Sequence, residues 1–350
     1  MVKNGYHVSL IGLGQPGIEQ RLGLKVITVA ERRFRQKRSV LKRIAELAAE
    51  EQADIYHCLD PWTLAIGFGL KRSRPGVRLI YESSEWFPRM FRDRDDLALL
   101  LRWLGWLAIE RLEARAVKEA DAIVETNETR AQRFIRRGCS PVIIPNYPPR
   151  ENLPAPWPRR NPWFAYTGLI SRHRGFDKLL EALVLVVRKH PEVRLRIVGL
   201  FDPRDDIETR TRTFIRQAGI EGNLEFLSWL PYDQLFQSLV PCLAGVILFQ
   251  PERGNDYTGL PNKLFEFMGS GLAVIASAFP EMARVVRETG CGWLVDPTRP
   301  DSIARAMTDV LDNPEETLRR GQAGRQAVGE RYHWGVAEAE LLALYQRLLR

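Results

Sequence analysis

The sequence predicts an α/β protein built from two doubly wound parallel-sheet domains, on three observations. Short β-rich runs alternate with longer helical patterns in both halves, the mark of parallel strands joined by crossover helices. At 350 residues the chain exceeds what one hydrophobic core usually organises. Between residues 145 and 162 the texture breaks into PNYPPRENLPAPWPRRNP, too proline-dense for a helix interior or central strand, and reads as an interdomain linker. The expected division is a first domain over 1–153, a second over 154–330 and a terminal helix in 331–350 packed across the boundary, with a hinge near Pro154.

In the first half, YHVSLI (6–11), KVITVA (25–30), DIYHC (54–58) and VRLIYE (77–82) read as strands. Met1 to Gly5 resembles a helix C-terminus feeding the first of them. The strand, glycine turn and helix that usually open such a domain are therefore expected to be missing, through a shortened start or a gap in the sheet. Val40, Leu41, Ile44, Leu47 and Ala48 recur at helical spacing, and Leu97 to Val117 continues that period. DAIVE is a further strand, Thr126 or Asn127 caps the helix after it, Gly138 ends that helix, and PVIIPN returns to the sheet. The second half starts at Trp163 with WFAYTG, followed by a helix around Lys178–Lys189, VRLRIVG, a helix ending near Gly219, LEFLSW, GVILF and AVIAS. Helical patterns fill the tail from Asp301, the last of them Ala337 to Leu349.

The balance of 51 Lys+Arg against 43 Asp+Glu, a net +8, favours anionic partners. Cys58, Cys139, Cys242 and Cys291 are scattered, with no pairing at metal-ligand spacing, which indicates neither a zinc site nor a disulfide framework and suits a reducing cytoplasm. No run of about 18 apolar residues is present, so any membrane association is expected to be peripheral. The basic run ERRFRQKRSVLKR (31–43) lacks the interleaved aromatics of a nucleic-acid platform. With Leu100, Leu101, Trp103, Leu104, Trp106 and Leu107 it could rest on an anionic membrane, the plainer reading being a core crossover helix with solvated arginines elsewhere. GLGQPG (Gly12–Gly17) matches a dinucleotide-binding fingerprint. Yet IEQRLGLKVITVA runs straight into another strand and leaves no helix N-terminus to face a pyrophosphate, so a glycine-rich turn is expected.

The segment most suggestive of chemistry is DYTGLPNKLFEFMGSGLAVIAS, Asp256 to Ser277. Gly259, Leu260 and Pro261 precede a helix with Leu264, Phe267 and Met268 on one face and Lys263 and Glu266 on another. Free amides at such a helix start, with a lysine beside them, suit a diphosphate, and a carboxylate suits the two hydroxyls of a ribose. Spacing alone equally describes a surface Lys–Glu pair on an amphipathic helix.

GLPNKLFEFMGSGLAVIAS with the downstream GCGWLVDP resembles the donor-binding segment of family 4 retaining glycosyltransferases. NGYHVSLI, DIYHCLDPWTL, LIYESSEWFP, ADAIVETNE, VIIPNYP, YTGLISRHRGFDKLLEAL, VRLRIVG and YHWGVAEAELLALY follow in the family's order. The resemblance implies a GT-B fold, two Rossmann-like domains facing a cleft. It implies transfer of a hexose from a nucleoside-diphosphate sugar to a hydroxyl acceptor, a saccharide or lipid-linked saccharide, with retention and without a metal or other cofactor. Polysaccharide or glycolipid assembly in the cytoplasm, at the inner face of the membrane, is the setting it suggests. By the same resemblance Glu266 holds the ribose, the amides around Gly259 and Leu260 face the diphosphate, and Arg172 or Arg174 supplies a phosphate-binding charge, with Thr258, Pro261 and Asn262 completing the segment. Gly168 ends the first strand of the second domain and lets the donor approach, and Gly199 is expected to do likewise.

The sequence also departs from the family. Thr258 stands where many members carry a second glutamate, Leu169 where an arginine is common, and Ser84 where the related subgroup has histidine. His57, Asp60 and Glu85, near strand ends of the first domain, are the acceptor-side catalytic candidates; a structural histidine is the alternative reading of His57, and a helix cap or a buried salt bridge that of Glu85. A nucleotide-sugar epimerase on the same scaffold and a non-catalytic nucleotide-sugar-binding subunit are the competing functions.

Overall fold

The computed structural model describes residues 1–30, 37–94, 96–155, 160–204 and 206–350. It divides into two compact units, Met1–Ile144 with Glu338–Arg350, and Pro145–Ala337.

In the first unit, β1 (Ser9–Gly14), β2 (Gly17–Arg21) and β3 (Leu24–Ala30) form one sheet in the order β1-β3-β2. β1 runs parallel to β3 while β2 runs antiparallel to it. Of the GLGQPG glycines, Gly12 and Gly14 thus lie in β1 and Gly17 opens β2, with Gln15 and Pro16 in the bend between them, and no helix follows. β1 begins three residues later than YHVSLI suggests, because Val2–Asn4 forms a 3-10 turn that Gly5 closes in the left-handed region. After α1 (Lys37–Glu50) comes a second, fully parallel sheet, β4 (Ile55–Cys58), β5 (Arg78–Ser83), β6 (Ala122–Glu125) and β7 (Val142–Ile143). Its connections are α2 (Pro61–Ser73), the short α3 (Phe87–Arg92) with the long α4 (Leu99–Glu119), and α5 (Glu128–Ile135). Asn127 starts α5 by accepting from the Arg130 N–H, the capping role expected of it. The basic run 31–43 falls partly outside the described residues, which resume at Lys37.

The second unit holds one six-stranded parallel sheet: β8 (Trp163–Thr167), β9 (Arg194–Val198), β10 (Leu224–Leu227), β11 (Ala244–Ile247), β12 (Ala273–Ser277) and β13 (Gly292–Val295). Its spatial order, β10-β9-β8-β11-β12-β13, is doubly wound and reverses between β8 and β11. Alternate residues feed two cores. Phe164, Tyr166, Ala273 and Ile275 face α6 (Phe176–Val187), α7 (Ile207–Ala218) and α12 (Pro300–Asp312). Ala165, Val274 and Ala276 face α8 (Tyr232–Leu239), α10 (Asn262–Gly269), α11 (Pro280–Thr289) and α13 (Pro314–Glu330). α10 sits close on the sheet because Gly245 of β11 has no side chain; a Cβ there would lie 2.1 Å from the Phe267 ring.

Two expectations need correction. The proline-rich segment is not a free linker beginning the second domain only after Pro154. From Pro145 it belongs to the second unit, where the Tyr147 ring lies 4.7 Å from Phe265 and 5.5 Å from Tyr332. Pro154 is buried and its carbonyl accepts from Arg325 Nη2 at 2.6 Å, an anchorage unlike a hinge. The physical reason is that Tyr147 and Leu153, spaced among prolines that need no amide partner, find a ready apolar surface. The last helix, α14 (Trp334–Leu349), opens in the second unit, where the Trp334 N–H meets Pro148, and from Glu338 onward belongs to the first.

Gly199 also has a different role from close donor approach. A Cβ on it would lie 1.9 Å from the carbonyl oxygen of Gly168, so it serves the packing of one strand end on another. Gly199→Ala is expected to cost roughly 1–3 kcal/mol of stability through forced backbone movement, read as a lower midpoint in urea unfolding.

Candidate functional site

The site begins where the strand order reverses. Around Thr167 at the end of β8 and Phe249 just past β11, connections leave toward opposite sides of the sheet, the position at which such folds bind ligands. Gly168 turns out of β8 with φ of 99°, a left-handed conformation open to glycine, and holds its amide on Val198 at 2.9 Å. A Cβ at Gly168 would sit 3.4 Å from the ammonium of Lys263, so the lysine packs directly over this glycine.

Lys263 and Glu266 occupy the first turns of α10, which begins after Pro261 with no side-chain cap. Each is only 8% exposed, rare for charged side chains and opposite to the surface-pair reading. They do not pair with each other. The Lys263 ammonium donates to the carbonyl of Thr167 and lies 5.1 Å and 5.7 Å from the ring centres of Tyr166 and Phe249. Tyr232 lies near the Glu266 carboxylate, close enough for each group to perturb the other's proton affinity. Burial pulls the Lys263 pKa down to about 7, helped by the nearby Arg174 charge and opposed by Glu266 and Asp256. Burial raises that of Glu266, against the pull of Lys263 and of the Tyr232 hydroxyl.

The 3-10 turn Arg172–Arg174 adds positive charge to this end of the sheet. It is pinned to β11 by the Gln250 amide, which donates to the His173 carbonyl at 2.9 Å. The Arg174 guanidinium lies 5.2 Å from the Phe249 ring centre, so Arg174 and Lys263 share one aromatic ring, whereas Arg172 is exposed on the same turn. Thr258 is buried at the end of the one-turn α9 (Gly254–Tyr257), its hydroxyl donating to the Gly254 carbonyl at 3.0 Å. The Gly259 N–H bonds to the Asp256 carbonyl at 3.3 Å and is already in use. The amides available to an anion are therefore that of Leu260 and those of the first turn of α10, at Asn262 and Lys263. Tyr166, Phe249 and Tyr232 are the members of the site that the motif analysis missed. Their only signal is an aromatic residue at a strand end or helix start.

The acceptor-side candidates lie in the other unit, each with a local partner. His57 Nδ1 is hydrogen-bonded to the Tyr345 hydroxyl at 2.9 Å, and Nε2 lies 3.0 Å from the Glu82 carboxylate without hydrogen-bond geometry, so the ring sits against two local polar groups. Asp60 caps α2, accepting from the Thr63 amide at 2.8 Å in a capping box. Glu85, partly exposed, pairs with the buried Arg130 at 3.0 Å. His57 and Asp60 thus each have a local structural role, and the helix cap read as an alternative for Glu85 falls on Asp60 instead.

Against this geometry, the sequence matches two family models: "Glycosyl transferases group 1" over residues 151–327, just over half the chain, and "Glycosyl transferase 4-like domain" over residues 1–147. The chain belongs to the group 1 glycosyltransferases. Its fold is the GT-B type of family 4. Among solved structures it superposes on sucrose-phosphate synthase from Thermosynechococcus elongatus with a TM-score of 0.79, at 17% identity, covering 99% of this chain and 90% of that one. Anabaena HepE in complex with UDP gives 0.76 at 14% identity, covering 98% and 100%. A curated relative, phosphatidyl-myo-inositol mannosyltransferase of Mycobacterium tuberculosis, is 32% identical over 54% of this chain and 48% of its own length. The MMP alpha-(1->4)-mannosyltransferase of Mycolicibacterium hassiacum is 25% identical over 72% and 59%. The chain thus spans about half the length of the curated relatives it matches.

Two outcomes follow from the site as built. The unfolded chain binds the Lys263 proton more tightly than the folded one, so stability is expected to rise with pH from about 7 towards 10.5. Lys263→Met should flatten that rise and add on the order of 1–3 kcal/mol at pH 6, measured by urea unfolding at pH 6 and pH 9. Asp60→Ala should lower stability by about 1 kcal/mol, as loss of a cap, while leaving nucleotide affinity unchanged in calorimetric titration.

Proposed function

We propose that this glycosyltransferase moves a hexose from a nucleoside-diphosphate sugar to a hydroxyl of a saccharide or lipid-linked saccharide, with retention of configuration and no required metal. The observation that carries the reading is the buried, mutually unpaired Lys263 and Glu266 at the reversal point of the second sheet. Such charges are costly in an apolar site unless a ligand completes their partners. A nucleoside diphosphate has the matching groups, two ribose hydroxyls for Glu266 and an anionic diphosphate for Lys263, Arg174 and the first amides of α10. Charge builds on the diphosphate as the glycosidic bond breaks, and the same cations stabilise it there. The names of the curated relatives make a mannosyl donor the first to try, and the UDP-glucose complex of HepE makes a glucosyl donor the second.

Glu85 remains the acceptor-side candidate of the first unit, because it is partly exposed and held in position by Arg130. The proposed setting is the cytoplasm, at the inner face of the membrane. Among the described residues no helix is long and apolar enough to cross a bilayer, so the contact proposed is peripheral.

The test is calorimetric titration with UDP, GDP and ADP, repeated on Glu266→Ala. Saturable binding of one nucleotide, weakened at least about tenfold in the variant, is the expected result. Equal affinity in the variant would remove Glu266 from the ribose site. With the matching donor sugar, product anomeric configuration by NMR tests retention, and transfer that persists in a chelator tests metal independence.

A further inference from the structure

We infer that the start of α4, with the end of α3, is a wedge that inserts into the interfacial layer of a lipid bilayer. In α4, Ile109, Glu113 and Ala116 are buried at helical spacing and anchor the C-terminal two-thirds of the helix on its unit. Its first two turns have no such cover. Leu99, Leu100, Leu101, Trp103 and Leu104 are 79%, 67%, 53%, 54% and 47% exposed, and Met90 of α3 beside them is 42% exposed. Together they form a patch of the order of the largest, roughly 300–600 Å², that monomeric proteins present to water.

The arrangement identifies the occupant. Successive helical residues point about 100° apart, so Leu99, Leu100 and Leu101 cover most of the helix circumference. The flat face of a protein partner would cover one stripe of such a helix and leave the rest wet. A fluid that closes round the helix end covers all of it, as the acyl and headgroup boundary of a bilayer does. Trp103 and Trp106 supply amphipathic rings suited to that boundary. Exposed Arg92 lies beside the wedge on a chain of net charge +8, complementary to anionic headgroups, and Arg94 next to it is paired with Asp96. The hairpin is held as a unit by Gly105, where a Cβ would lie 2.0 Å from the Phe91 ring. It leaves β5 through Ser84, Glu85 and Trp86, the acceptor-side segment proposed above, so a lipid-linked acceptor would be met where this chain touches the membrane. That last link, and no other, rests on the proposed transferase reading.

The experiment is flotation of the purified chain with phosphatidylcholine vesicles, with and without 30% phosphatidylglycerol (roughly the anionic fraction at which polybasic surfaces engage), for wild type, Leu100→Asp/Trp103→Asp, and Arg92→Glu/Arg94→Glu. Wild type is expected to float, more strongly with the anionic lipid. The apolar double variant should lose at least about tenfold in partitioning, and the arginine variant should lose chiefly the anionic preference. An unchanged circular dichroism spectrum and urea midpoint confirm that the first unit's fold survives in each variant, and nucleotide titration, expected to be unchanged, separates this claim from the donor site. Flotation without nucleotide binding would leave the wedge standing and overturn the transferase reading. No flotation, or a dimer in light scattering that Leu100→Asp/Trp103→Asp splits, would assign the patch to a second copy and overturn the wedge.

Discussion

The second unit is organised around a lysine and a glutamate that are buried on one short helix and kept from pairing. A Lys–Glu pair three residues apart on an exposed helix would meet side by side and contribute a few tenths of a kcal/mol. Here the Lys263 ammonium reaches to the carbonyl at the end of β8, and the Glu266 carboxylate is buried near Tyr232. Each charge has fewer partners than water would supply. The fold imposes this separation through the close seat of α10 on β11 at Gly245 and the bare backbone of Gly168 beneath the lysine. Buried charges of this kind cost stability unless further partners reach them, which is the ground for the proposed anionic, hydroxyl-rich ligand.

Much of this was readable in the sequence. The helix after Pro261, its apolar face and the polar face carrying Lys263 and Glu266 follow from spacing within a dozen residues. Burial of that polar face did not follow. It depends on Thr167, which stands 96 residues before Lys263, and on Tyr232, contributed by a different crossover. Sheet order decides which strand ends meet, and no local pattern records that order. Gly199 was misread for a similar reason, since a glycine demanded by a neighbouring strand and one demanded by a ligand look alike in sequence.

The first unit was legible in its elements and less so in its details. Strand and helix periods placed α1, β4, β5 and β6 within a few residues. The β2–β3 hairpin was hidden because its turn is the two residues Leu22 and Gly23, of which only the glycine signals a turn. The proline-rich segment misled because proline density signals a missing ladder partner, which a strap lying on an apolar surface does not need.

The central claim is that Lys263 awaits an anion. Its most direct test is the number of protons taken up when the nucleoside diphosphate binds, obtained by calorimetry in buffers of different ionisation enthalpy at pH 8. With a free-state pKa of about 7, most of the lysine is neutral at that pH, and a bound diphosphate would restore its charge. The account predicts uptake approaching one proton per site at pH 8, falling towards none at pH 6 and absent in Lys263→Arg. Binding with no buffer-dependent heat at pH 8, or with uptake unchanged in Lys263→Arg, would contradict it.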